Sequence, residues 1–171
     1  MRILFFILFL LHYDCFSQNF ISKTGEITFF SYAPIEDIKA VNEKVSAAFN
    51  SQTNDIVFVL EITDFNFKKK LMQEHFNENY LESDVYPTSS FEGKVYNIDD
   101  SLATVKGVLT IHGVSNEITA DGTFILLDNT IKLSSSFMIK LEDYNVQIPK
   151  IVMYKIAEEI LVDINMILIK T

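Results

Sequence analysis

The chain has 171 residues, 49% of them hydrophobic and 22% charged, with 23 acidic against 14 basic side chains and a formal net charge of −9. That apolar fraction excludes a disordered chain, and five Gly with three Pro exclude fibrous or low-complexity classes. The acidic balance excludes a partner held by neutralising its phosphates, nucleic acid above all.

The chain opens with Met1-Arg2, then an unbroken apolar run over residues 3–11, then His12, Tyr13 and Asp14. The run is short of the roughly 20 residues of a spanning helix but has the build of a secretory leader, with Cys15 and Ser17 as the small residues before a cut. The expectation is therefore a signal peptide over residues 1–17 and one domain over 18–171, exported to the periplasm or secreted, with no stable membrane insertion. Removing the leader removes Cys15, the only cysteine. No disulfide, thiol nucleophile or thiolate metal site then remains.

Beyond the leader the chain alternates with a period of two. Two weaker strands come first, over 26–32 (Ile27, Phe29) and 44–50 (Val45, Ala47, Phe49), with a short helix between them over 35–41 after Pro34. Residues 56–62 put Ile56, Phe58, Leu60 and Ile62 on one face. A helix follows over 68–82, with Leu71, Met72, His75, Phe76 and Asn79 as its stripe. Four more strands have inner faces beginning Phe91-x-Gly93, Ala103-x-Val105, Ile118-x-Ala120 and Ile131-x-Leu133. A second helix is expected over 149–158 with Pro149 near its start. The last strand carries Ile160, Val162, Ile164, Met166 and Leu168.

Short turn segments join most of these strands, which makes neighbours antiparallel, since a parallel crossover takes about a dozen residues or more. The fold class is all-β: eight antiparallel strands closed as a barrel, with one or two short helices over the ends. Closure removes the exposed edges that an open sheet presents for aggregation. Eight strands enclose an interior either filled by side chains or just able to hold one small ligand.

Three stretches are similar to a known family. Residues 71–87 end in Ser83-Asp84-Val85-Tyr86-Pro87, before Phe91-Glu92-Gly93. Residues 107–118 read Gly107-Val108-Leu109-Thr110-Ile111-His112-Gly113-Val114-Ser115, and residues 137–146 contain Asp143-Tyr144-Asn145. In that order they resemble the YceI-like family of secreted lipid-binding proteins. The resemblance implies a lipocalin-like barrel holding an isoprenoid or similar lipid, without an enzymatic site or cofactor. Where the family commonly has Arg and Gly, this chain has Leu141 and Asn145. Asn tolerates the left-handed backbone of that turn. The missing Arg favours a neutral apolar ligand over a phosphate-bearing one.

The partner expected is one apolar molecule: an isoprenoid, a quinone-like lipid or a fatty acyl chain. Its lining would be Phe29, Phe58, Leu60, Phe91, Val105, Leu109, Phe124, Phe137, Ile164 and Met166. Met72 and Phe76 would gate one mouth, and Tyr80, Tyr86 and Tyr144 would orient the ligand there. Small inward residues (Ala47, Gly93, Ala103, Gly107, Ala120, Gly122, Ser135) argue for leftover space. Two other readings stay open. His75, Glu78 and Glu82 share helical spacing and would serve a metal-dependent or acid/base enzyme. A filled barrel would act as an envelope interaction module through its acidic outside. A dimer is compatible with either.

Overall fold

The computed structural model describes residues 19–32, 37–148 and 157–171. Ten strands run through them: β1 (Asn19–Ser31), β2 (Ile38–Asn42), β3 (Ser46–Asn50), β4 (Asp55–Glu61), β5 (Asn66–Phe67), β6 (Thr88–Asp99), β7 (Leu102–Ile111), β8 (Val114–Leu127), β9 (Thr130–Lys140) and β10 (Glu159–Lys170). Strands β3, β4 and β6 to β10 follow one another in the sheet. β1 pairs with both β3 and β10, so eight strands close an antiparallel barrel.

The period-two pattern sets the faces. Along β4, Ile56 and Leu60 are buried while Val57, Val59 and Glu61 are exposed. Along β9, Ile131, Leu133 and Ile139 are buried. Leu126 belongs to the inner face by spacing yet is 58% exposed, because β8 there runs past the start of β7, which pairs no further than Thr123.

Residues 38–41, expected as part of a helix over 35–41, belong to β2 instead. They pair with β1 on one side and β5 on the other, and a ladder on both edges outweighs a weak helical spacing. Residues 35 and 36, and residues 149–156 of the other expected helix, lie outside the described residues. The helix expected over 68–82 is shorter: α1 (Lys70–His75) runs into a π-helical turn, Phe76–Tyr80. Lys69 provides no side-chain cap, and a lysine run at this end opposes the helix dipole. The element is held by its packing. The excursion from β4 to β6 that carries it closes on itself, with the Ile62 amide donating to the Pro87 carbonyl at 2.8 Å. We call the barrel end it covers the upper end.

Asn42 is fully buried. Its Nδ2 donates to the Glu61 carbonyl and its Oδ1 accepts from the Lys44 amide, each at 2.9 Å. The corner from β2 to β3 is thereby tied to the end of β4. Asn42→Ala strands both partners, and a loss of about 2 kcal/mol is expected. Urea unfolding checks this: the midpoint falls at unchanged slope, whereas an unmoved midpoint would show that the corner does not depend on Asn42.

Candidate functional site

The barrel encloses a cavity of about 460 Å³, within the roughly 300–1,000 Å³ of pockets that take one small molecule. Phe29, Phe58, Leu60, Phe91, Val105, Leu109, Phe124, Phe137 and Ile164 line it from the strands. Met72, Phe76 and Tyr80 line it from the helical segment, and Tyr144 from the 3₁₀ turn Leu141–Tyr144. Alternation places the strand residues, and the i, i+4 spacing of Met72 and Phe76 places the helix.

Two expected lining residues lie elsewhere. Met166 points inward from β10, but its sulfur occupies the space opposite Gly25, where any Cβ would collide with it. Tyr86 lies outside the cavity against the β7–β8 hairpin, edge-on to His112 with ring centroids 4.6 Å apart. The glycines Gly93 and Gly107, expected as empty space, face each other across β6 and β7. The Phe91 ring fills the hollow they leave, with its Cζ 2.7 and 2.6 Å from where their Cβ atoms would sit. Ala103, Ala120, Gly122 and Ser135 do line the cavity.

Aromatic clusters bound the cavity lengthwise. At the upper end Phe29, Phe65, Phe67 and Phe76 interlock, with neighbouring ring centroids 5.0 to 5.6 Å apart. At the lower end Phe49 packs against Phe20 and, at 5.0 Å, against Phe124. Phe65 and Phe67 were hidden from pattern reading by their position in a non-periodic excursion. Their own Phe-x-Phe alternation is the signal that would have found them.

The chemistry of the wall is apolar. Among the described residues no Lys or Arg lines the cavity, and the only arginine of the chain is Arg2. Leu141 stands on the lining. The polar lining is largely engaged by the protein itself: Ser89 Oγ donates to the Thr110 carbonyl at 2.8 Å, and Ser31 Oγ accepts from the Ala157 amide at 2.8 Å. Burial pushes the Tyr80 and Tyr144 hydroxyls above their usual range, which keeps both neutral.

His112 and Gly113 both have positive φ, 50° and 72°, as the two-residue hairpin turn between β7 and β8 requires. His112 Nε2 lies 2.8 Å from Glu82 Oε2, and Nδ1 lies 3.2 Å from the Tyr144 carbonyl. Both ring nitrogens are therefore occupied, and Ser115 Oγ bonds to Thr110 Oγ1. The histidine pins the hairpin to the turn after the helix. Asn145 takes the left-handed conformation, φ 56°, in place of the family's Gly. His75, Glu78 and Glu82 are not brought together as a ligand set, because Glu82 lies past the helical segment on His112. Among the described residues no three His, Cys, Asp or Glu side chains are grouped to hold a metal ion.

Fold and cavity define the class: an eight-stranded, lipocalin-like barrel built around an apolar chamber sized for one small molecule. The chain matches the YceI-like domain over residues 19–168. It belongs to the YceI-like family. Among solved structures, Burkholderia cenocepacia BcnA superposes with a TM-score of 0.75 at 16% identity, over 84% of this chain and 95% of that one. A polyisoprenoid binding domain from Saccharophagus degradans, implicated in plant cell wall breakdown, gives 0.77 at 14% identity over 91% and 99%. The Campylobacter jejuni YceI protein gives 0.69 at 20% identity over 82% and 89%. No curated protein sequence matches the chain significantly.

Proposed function

We propose that this protein is an exported, non-enzymatic carrier that holds one isoprenoid or other long apolar molecule with an uncharged head inside its barrel. The observation that carries the reading is a chamber of about 460 Å³ whose described lining is overwhelmingly apolar and holds, besides His75, no basic side chain. An empty apolar void of that size, at ~24 cal/mol per Å³, would cost on the order of 10 kcal/mol. That is comparable to the whole stability of an ordinary domain, so the barrel favours an occupant. Binding is driven by apolar surface leaving water, at about 25 cal/mol per Å². The polyisoprenoid binding domain of the same fold from Saccharophagus degradans supports the isoprenoid class, and the basic, apolar, polar order of residues 1–17 supports export to the periplasm or beyond the cell.

A chamber without Lys or Arg leaves most of a diphosphate head's charge desolvated and unpaired. Farnesol is expected to displace a bound fluorescent retinol at least about tenfold more effectively than farnesyl diphosphate, a gap of roughly 1.4 kcal/mol. Equal displacement, or a preference for the diphosphate, would contradict the neutral-head reading. Stripping the ligand should lower the melting temperature by about 5–10 °C, the shift for a site filled near 100 Kd in a chain of this length. Adding retinol back should restore it.

A further inference from the structure

We propose that the ligand enters and leaves through the side of the barrel, between β8 and β9; this rests on the carrier reading above. The β8–β9 ladder runs from Leu127 opposite Thr130 to Gly122 opposite Ser135, and stops there. The flanking ladders continue: β7 pairs with β8 as far as Ile111 opposite Val114, and β9 with β10 as far as Lys140 opposite Glu159. Among the described residues, the upper parts of β8 and β9 thus face each other across a seam with no ladder.

Both limits of the seam are built from named contacts. At the fork stands Gly122, where a Cβ would collide with the Ser134 carbonyl. Ser135 Oγ donates to the Asp121 carbonyl at 2.8 Å, so a side chain occupies the acceptor that a continuing ladder would use. At the upper limit Asn116 Nδ2 donates to the Asp143 carbonyl at 2.7 Å, which ties β8 to the 3₁₀ turn. Between them residues 117–121 of β8 span about 16 Å at ~3.3 Å per residue. The inner-face residues on both lips, Ile118 and Ala120 on β8, Phe137 and Ile139 on β9, line the cavity itself.

A side mouth gives the chamber a route of exchange that displaces neither of the phenyl clusters at its ends. Parting the β7–β8 or the β9–β10 seam beside it breaks ladder pairs, and parting this one breaks none. The unpaired strand edges also present backbone donors and acceptors, and their outer faces carry charges of both signs: Glu117 and Asp121 on β8, Lys140 on β9 and, on the neighbouring β10, Asp163, which accepts from Ser136 Oγ at 2.6 Å. The free backbone groups along those edges offer hydrogen bonds to a polar head as it passes.

The test bridges the seam from outside. Extending the register from Gly122 and Ser135 sets Thr119 opposite Met138, with both side chains on the outer face. In the full chain carrying Cys15→Ser, the pair Thr119→Cys/Met138→Cys is joined with a short bismaleimide. Lys106→Cys/Thr119→Cys, opposite each other in the intact β7–β8 ladder, is the control. Stopped-flow fluorescence then follows all-trans-retinol loading and release. Bridging the seam should slow both by about tenfold or more with affinity changed less than about threefold, and the control bridge should change neither. Unchanged rates in the bridged protein would overturn the side mouth and place entry at an end of the barrel, as would a loss of equilibrium binding on bridging. If retinol binds none of the forms, unmodified protein included, it is the carrier reading that falls, and the mouth with it.

Discussion

Filling the chamber with Ala103→Phe and Ala120→Phe together should weaken retinol binding at least about 100-fold while leaving a folded barrel, since the lost chamber removes most of the apolar surface a ligand can bury. Both alanines line the cavity. They lie on the inner faces of neighbouring strands, Ala103 opposite Gly122 and Ala120 opposite Val105, so two added rings project into the same space. The wall loses no hydrogen bond, and the ligand-free variant should unfold at a higher temperature than stripped wild type, because void becomes packed contact. Fluorescence titration with circular dichroism separates the two effects. Binding retained within about threefold in a folded variant would place the ligand outside the barrel.

Gly107→Val acts on the wall itself. A Cβ at Gly107 would strike the Glu92 carbonyl and the Gly93 backbone, besides the Phe91 ring. A side-chain tip can swing away from such a contact, but two strands at ladder distance cannot. Separating them disrupts pairing along β6 and β7 and evicts Phe91 from its hollow. A loss of about 4 kcal/mol is expected, at the upper end of single-substitution effects. Denaturant unfolding measures it, and a variant within about 1 kcal/mol of wild type would mean that the two strands separate easily at this point.

The same glycine pair shows where sequence reading stops. Alternation over residues 56–62, 103–111 and 131–141 reports correctly which side chains face inward, because each strand has one face on the chamber and one on solvent. It does not report what occupies the space in front of a small residue. Gly107 faces inward as expected, but Phe91 covers it. Gly25 does the same for Met166, drawing a side chain of the expected lining into the wall. β2 escaped because five residues carry too little periodicity to outweigh the helical spacing of 35–41. Its contacts, to β1 and to the two-residue β5, are set by chain path and not by pattern.

The open seam was beyond reach for a different reason. Residues 114–127 and 130–140 alternate normally through the fork, so both strands look complete from their sequences. Pairing belongs to two strands at once, and alternation within each says nothing about where the pair parts. Gly122 and Ser135 were visible as small inward residues. Only the fold shows that they mark the point where the ladder ends.

Native mass spectrometry of the intact chain, purified from its source without detergent or organic solvent, weighs the chamber's contents directly. One uncharged lipid per chain, released as the barrel unfolds, is the result predicted here. A bare polypeptide mass under conditions that preserve noncovalent ligands, from a protein that afterwards takes up no isoprenoid alcohol, would contradict it.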